Sequence, residues 1–179
     1  INLRKLHLWN ITLEPSNLLP PQISHLSNLR ELFICGNKMR FLPPEIGDLC
    51  NLTELTMMGT HLDELSPEIG RLGKLEKLRI TGCNFSVIPE EIGQLTNLKK
   101  LGIVNTPVKE LPDGLAALTK LEELDIHSLQ LEIVPPEIIK LPKLKKLTIN
   151  KRDYPRLKNS IDGLPSSVKL DLMPSRWDP

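Results

Sequence analysis

The chain has 179 residues, 40% hydrophobic and 25% charged, with a net charge of +1, as expected of one sizeable globular domain. That balance excludes the basic excess that draws proteins to nucleic acid or anionic membranes, and no apolar run approaches the roughly 18 residues needed to cross a bilayer. Aromatic residues are only 3% of the chain, so the core is expected to be almost wholly aliphatic.

The first predicted element lies at Leu3, Leu6 and Leu8, in the pattern L-x-x-L-x-L. The pattern returns at Leu29-Leu32-Ile34 and then every 23 residues: Leu52-Leu55-Met57, Leu75-Leu78-Ile80, Leu98-Leu101-Ile103, Leu121-Leu124-Ile126 and Leu144-Leu147-Ile149. A register held through five consecutive intervals is an internal repeat. Each L-x-L stretch alternates with period two, which predicts a strand with one buried face.

A second apolar set follows each strand, as in Leu42, Ile46 and Leu49 or Leu65, Ile69 and Leu72, at the spacings of a helical turn. Before these sets stand Pro43-Pro44-Glu45, Pro67-Glu68, Pro89-Glu90 and Pro135-Pro136-Glu137. Proline followed by an acid suits a helix start, because proline lacks a donor that would be orphaned there and the carboxylate meets the positive end. Each copy is therefore one strand and one short helical or 3₁₀ segment. Neither buries its apolar edge alone, so the copies must stack. Stacking makes a parallel sheet on the concave side, with the wider helical segments on the convex side.

Beyond Leu144 the pattern changes. Arg152-Asp153-Tyr154-Pro155 replaces the usual turn, Val168–Leu172 alternates as a last strand, and Pro174 with the polar tail Ser175–Pro179 stops it. Residues 165–179 are read as a C-terminal cap. No comparable cap precedes Leu3, Leu6 and Leu8, which are expected to be poorly covered, and the chain starts at Ile1 without Met. It is read as a single domain over 1–179, with about seven repeats starting at Leu3, Leu29, Leu52, Leu75, Leu98, Leu121 and Leu144, and as a fragment of a longer protein.

Five residues after the second leucine of L-x-x-L stand Asn37, Thr60, Cys83, Thr106 and Leu129. With the recurring Leu-Pro-x-Glu-Ile-Gly-x-Leu-x-x-Leu, this resembles the leucine-rich-repeat proteins from residue 3 to about 165. It is similar to the 23-residue class of intracellular scaffolds, plant intracellular immune receptors and some bacterial effectors. The resemblance implies an α/β leucine-rich-repeat solenoid, a curved right-handed coil with an internal asparagine ladder. Thr and Cys replace Asn in part, but Leu129 does not, so a loosened turn is expected there. The L-x-G-x-I-P pattern of plant extracellular repeats and the cysteine-clustered caps of secreted ones are missing, which favours a cytoplasmic location. Three widely spaced cysteines, Cys35, Cys50 and Cys83, agree with a reducing compartment. Three N-x-S/T sequons, beginning at Asn10, Asn51 and Asn84, point the other way and are read as chance matches.

Chemistry is mostly missing. There is no P-loop, G-x-S-x-G, H-E-x-x-H or G-x-G-x-x-G. His7, His25, His61 and His127 lack ligand-like spacing, and His7 and His127 are five rungs apart, roughly 24 Å at about 4.8 Å per strand. No catalytic residue, cofactor or metal is expected, and Cys35 is read as inert. The outward columns of the sheet are more informative. The first reads Lys5, Glu31, Glu54, Lys77, Lys100, Glu123, Lys146; its charges, like Glu76, Lys99, Glu122 and Lys145 beside it, are read as a solvated ladder supporting the sheet. The second reads His7, Phe33, Thr56, Arg79, Gly102, Asp125, Thr148, and the third Trp9, Cys35, Met58, Thr81, Val104, His127, Asn150. Apolar side chains facing water mark partner surfaces. The candidate protein-binding residues are Trp9, Phe33, Cys35, Met58, Arg79, Val104, Asp125 and His127, with emphasis on the N-terminal apolar members. Packing of Trp9 and Phe33 against preceding repeats is the competing explanation. The resemblance implies a recognition module for a protein partner, in ligand sensing or scaffolding within an intracellular signalling or immune protein. The alternative is a substrate-recognition repeat of a bacterial effector, or of a ubiquitin ligase whose catalytic domain lies elsewhere. Nucleic acid, membrane insertion and a small-molecule substrate are not expected.

Overall fold

Alternating leucines turn one side of every strand inward, and the structure, a computed structural model describing residues 2–11 and 19–174, contains eight such strands. They are β1 Lys5–Trp9, β2 Glu31–Cys35, β3 Glu54–Met58, β4 Lys77–Thr81, β5 Lys100–Val104, β6 Glu123–Asp125, β7 Lys146–Asn150 and β8 Lys169–Met173. All pair in parallel, in chain order, in one open sheet. The repeat sets the register: Leu32, Leu55, Leu78 and Leu101 lie opposite one another in succession. They and the following Ile34, Met57, Ile80 and Ile103 are buried. Leu3, Leu6 and Leu8 of the first rung are only partly buried and pack against this core from one end.

The connecting segments are 3₁₀ turns at Pro21–His25, Pro44–Asp48, Pro67–Arg71, Glu90–Gln94 and Asp113–Ala117, then the helices α1, Pro136–Ile139, and α2, Tyr154–Ile161. Their apolar residues close the core from the far side. The Gly of each Glu-Ile-Gly lets these turns nest: a Cβ on Gly93 would lie 2.3 Å from the Gly114 carbonyl oxygen, closer than any side chain permits. Helix α2 stands where Arg152-Asp153-Tyr154-Pro155 departs from the repeat, with Pro155 in its first turn. Strand β8 then adds to the sheet edge; the polar tail 175–179 lies outside the described residues.

Strands β1 to β5 are each followed by a left-handed residue, Asn10, Gly36, Gly59, Gly82 and Asn105 in turn, and Ser128 holds the same place in the repeat after β6. Beneath them runs the ladder. Asn37 donates from Nδ2 to the Cys35 and Leu8 carbonyls at 3.0 and 3.1 Å and accepts from Ile11 N–H at 2.7 Å, so one side chain joins two rungs. Thr60 Oγ1 and Cys83 Sγ are 3.3 Å apart and continue it, with burial pushing the Cys83 thiol pKa up. Thr106 Oγ1 is buried without a hydrogen-bond partner, and Leu129 follows. Here the turn is loose: β6 has three residues instead of five, and the Asn105 N–H to His127 carbonyl bond is 3.4 Å, against 2.7–3.0 Å at the corresponding rungs before it.

Candidate functional site

In a sheet whose inward positions are filled by leucine, the outward positions are free to vary. The register brings the first column, Lys5, Glu31, Glu54, Lys77, Lys100, Glu123, Lys146, into line and extends it to Lys169. Its charges pair between rungs: Lys5 with Glu31 at 2.8 Å, Lys77 with Glu54 at 2.6 Å, and Lys100 with Glu123 at 2.6 Å. The hydrogen bond to Glu54 holds the Lys77 pKa above the usual lysine value. Lys146 pairs with Asp171 at 2.8 Å, which lowers the Asp171 pKa. Beside this column Lys99 pairs with Glu76 at 2.8 Å and Lys145 with Glu122 at 2.7 Å. The charges of this face largely neutralise one another.

The apolar residues do not cancel in this way. Trp9 stacks on Phe33 with ring centroids 4.7 Å apart and planes 29° from parallel, and His7 lies tilted to the same ring at 5.6 Å. Trp9 is 59% exposed, and Phe33, Cys35 and Met58 are half-buried. Cys35 sits between Trp9 and Met58 in the third column. These residues form a continuous aromatic and sulfur-bearing platform across β1, β2 and β3.

Two of the predicted residues, Val104 and His127, are placed differently from the simple column picture. Val104 is 3% exposed and offers no surface. No other described strand has the same pair of outward positions, here Gly102 and Val104, both buried. Over Gly102 the cover is Arg79, which reaches across β5 toward Asp125: a Cβ on Gly102 would sit 3.5 Å from Arg79 Cγ and 3.8 Å from Asp125 Cβ. His127 lies beyond the end of β6, in the loosened turn, and folds back so that Nδ1 is 2.5 Å from Asp125 Oδ1. Arg79 and Asp125 do share the open face, with Nη1 and Oδ2 3.8 Å apart. Around them is a shallow depression of about 270 Å³, floored by Gly102 and walled by Lys77, Lys100 and Glu123 among others. Gly102 was visible in the second column as a gap, but the reach of Arg79 across it was not.

Cys35, Cys50 and Cys83 are free thiols. Among the described residues, no group of three or more His, Cys, Asp or Glu side chains is arranged to hold a metal, and no helix is long and apolar enough to cross a membrane. Two sequon asparagines have structural employment: Asn51 donates to the Ser27 carbonyl at 2.8 Å and Asn84 to that of His61 at 3.2 Å.

Comparison with known proteins agrees with this geometry. A family profile described as a leucine-rich repeat region matches residues 1–104, more than half of the chain. No curated protein matches the sequence. Among solved structures, a leucine-rich-repeat protein of Leptospira interrogans is 28% identical, with 95% of this chain and 49% of that one covered and a TM-score of 0.66. The leucine-rich repeat domain of the type III effector XopL is also 28% identical, covering 81% of this chain and 51% of that one, with a TM-score of 0.75. Internalin C2 of Listeria monocytogenes, at 21% identity, shares the fold with a TM-score of 0.74, covering 97% of this chain and 72% of that one. The chain spans about half the length of the first two.

Proposed function

The chain belongs to the leucine-rich-repeat family, and from that premise we propose that it is a recognition module that holds a protein partner on the open face of its sheet. Such repeats are in general protein-binding modules rather than catalysts. The observation that carries the reading is the Trp9–Phe33–Met58 platform, apolar area on the open face of the sheet. Large rings with few rotatable bonds supply much contact area at small entropic cost, and aromatic anchors dominate binding hot spots. The self-paired charges around it suit the polar rim of an interface. Within this reading the chain serves ligand sensing or scaffolding in a cytoplasmic signalling or immune protein, with neither nucleic acid nor a small molecule as its ligand.

The similarity to a type III effector favours one second reading, a repeat that selects target proteins for a bacterial effector or for a ligase whose catalytic domain lies elsewhere. Both readings place the partner on the same face. The test is affinity measurement with a purified partner and single variants. Phe33→Ala and Met58→Ala are expected to weaken binding about tenfold or more, the effect of losing a hot-spot side chain. Unchanged affinity in both would move the interface off the platform.

A further inference from the structure

The depression over Gly102 contains four cations and three carboxylates, and they are unequally committed. Lys77 and Lys100 each bond a neighbouring glutamate at 2.6 Å, and Lys146 bonds Asp171 at 2.8 Å. Asp125 is itself engaged through Oδ1 by His127 at 2.5 Å. Arg79 differs. Its one ion-pair contact, to Asp125, is 3.8 Å, beyond hydrogen-bond reach, and among the described residues it makes no hydrogen bond. Its side chain is half exposed, stretched over a residue with no side chain of its own. A guanidinium carries five donors in a rigid fork that matches a carboxylate in two parallel bonds. Here the fork is extended over open space and its donors are unused.

We infer that the depression over Gly102 is a subsite for a carboxylate side chain of an acidic partner segment, gripped by Arg79 in two parallel hydrogen bonds. This rests on the reading of the sheet face as a protein-binding surface and adds the chemistry of the partner. The inventory of partners supports the choice: Lys77 and Lys100 each hold a glutamate and Lys146 holds Asp171, whereas Arg79 makes no hydrogen bond among the described residues. The geometry limits the segment further. The subsite lies over Gly102 on β5, three strands from Phe33 on β2, about 14 Å at the usual strand spacing. The fitting partner carries an Asp or Glu and a large apolar side chain about that far apart on one face.

The test uses the isotope-labelled chain and two small probes at fixed ionic strength, N-acetylglutamate methylamide and the neutral N-acetylglutamine methylamide. The glutamate probe is expected to move the Gly102 amide and Arg79 Nε–H signals saturably, and the glutamine probe to leave them in place. Arg79→Gln should weaken the response about tenfold, the scale for a hydrogen bond to a charged group. Arg79→Lys, which keeps the charge but not the fork, should recover only part of it. Gly102→Val fills the depression with Arg79 intact and should weaken the response as well. Equal responses to both probes, or glutamate shifts that survive Arg79→Gln, overturn the subsite. A partner segment that binds despite Arg79→Gln but not Phe33→Ala removes the subsite and leaves the face. Partner binding that is lost in Arg79→Gln but insensitive to Phe33→Ala and Met58→Ala removes the platform and leaves the subsite.

Discussion

The two sides of the sheet are made by the same strands, yet they obey different rules. On the inner side each rung can stand in for the next: Leu55, Leu78 and Leu101 occupy one column, and Met57, Ile80 and Ile103 another, all buried. On the outer side the same step of 23 residues takes Phe33 to Thr56, then Arg79, Gly102 and Asp125. A repeat is held to its consensus where neighbours must interlock and released from it where they need not. Identity therefore lies in the departures, and the two largest on this face are the aromatic platform and the Gly102 gap.

The comparison is broken or sharpened by substitutions on either side. The largest effect belongs to the inner columns: Leu78→Ala or Leu101→Ala is expected to cost about 2–5 kcal/mol in a denaturant melt. No loss of stability there would mean that the register is misplaced. Gly93→Ala, on the convex side, should cost about 1–3 kcal/mol, because its Cβ would meet a backbone oxygen that cannot rotate away. On the outer face the Lys100–Glu123 pair should contribute only about 0.2–1 kcal/mol, measured by a double-mutant cycle. The smallest effect is that of pH on Asp171. Its pKa is depressed by the hydrogen bond from Lys146, so its contribution is full above the ordinary aspartate value and fades as pH falls through the depressed one. Asp171→Asn should flatten that part of an acid titration of stability; an unaltered acid limb would show that the pair adds nothing.

Most of the inner side was legible in the sequence, because burial imposes a period and a period is visible in one dimension. Leu29 through Leu144 specify the strands, their order and their register, and Pro-Glu pairs mark the convex turns. The departure at Arg152–Pro155 was visible too, though not that a full helix would fill it. The outer side was legible only as columns. That Val104 is covered, that His127 turns back onto Asp125, and that Arg79 extends across a neighbouring strand all depend on side-chain reach between rungs. The nesting of Gly93 against Gly114 was present only as a recurring Glu-Ile-Gly whose purpose lies in the neighbouring copy.

The short strand β6 has a mechanical meaning. In a stack where each rung touches only its neighbours, load and heat act on the rungs in series. The three-residue strand, the stretched bond from Asn105 and the ladder that ends at Leu129 lie together at one level. Springs in series yield at the softest. Pulled from its two ends, the molecule is expected to part first at β6, which single-molecule extension would record as a first rupture between the five rungs before it and the two after it.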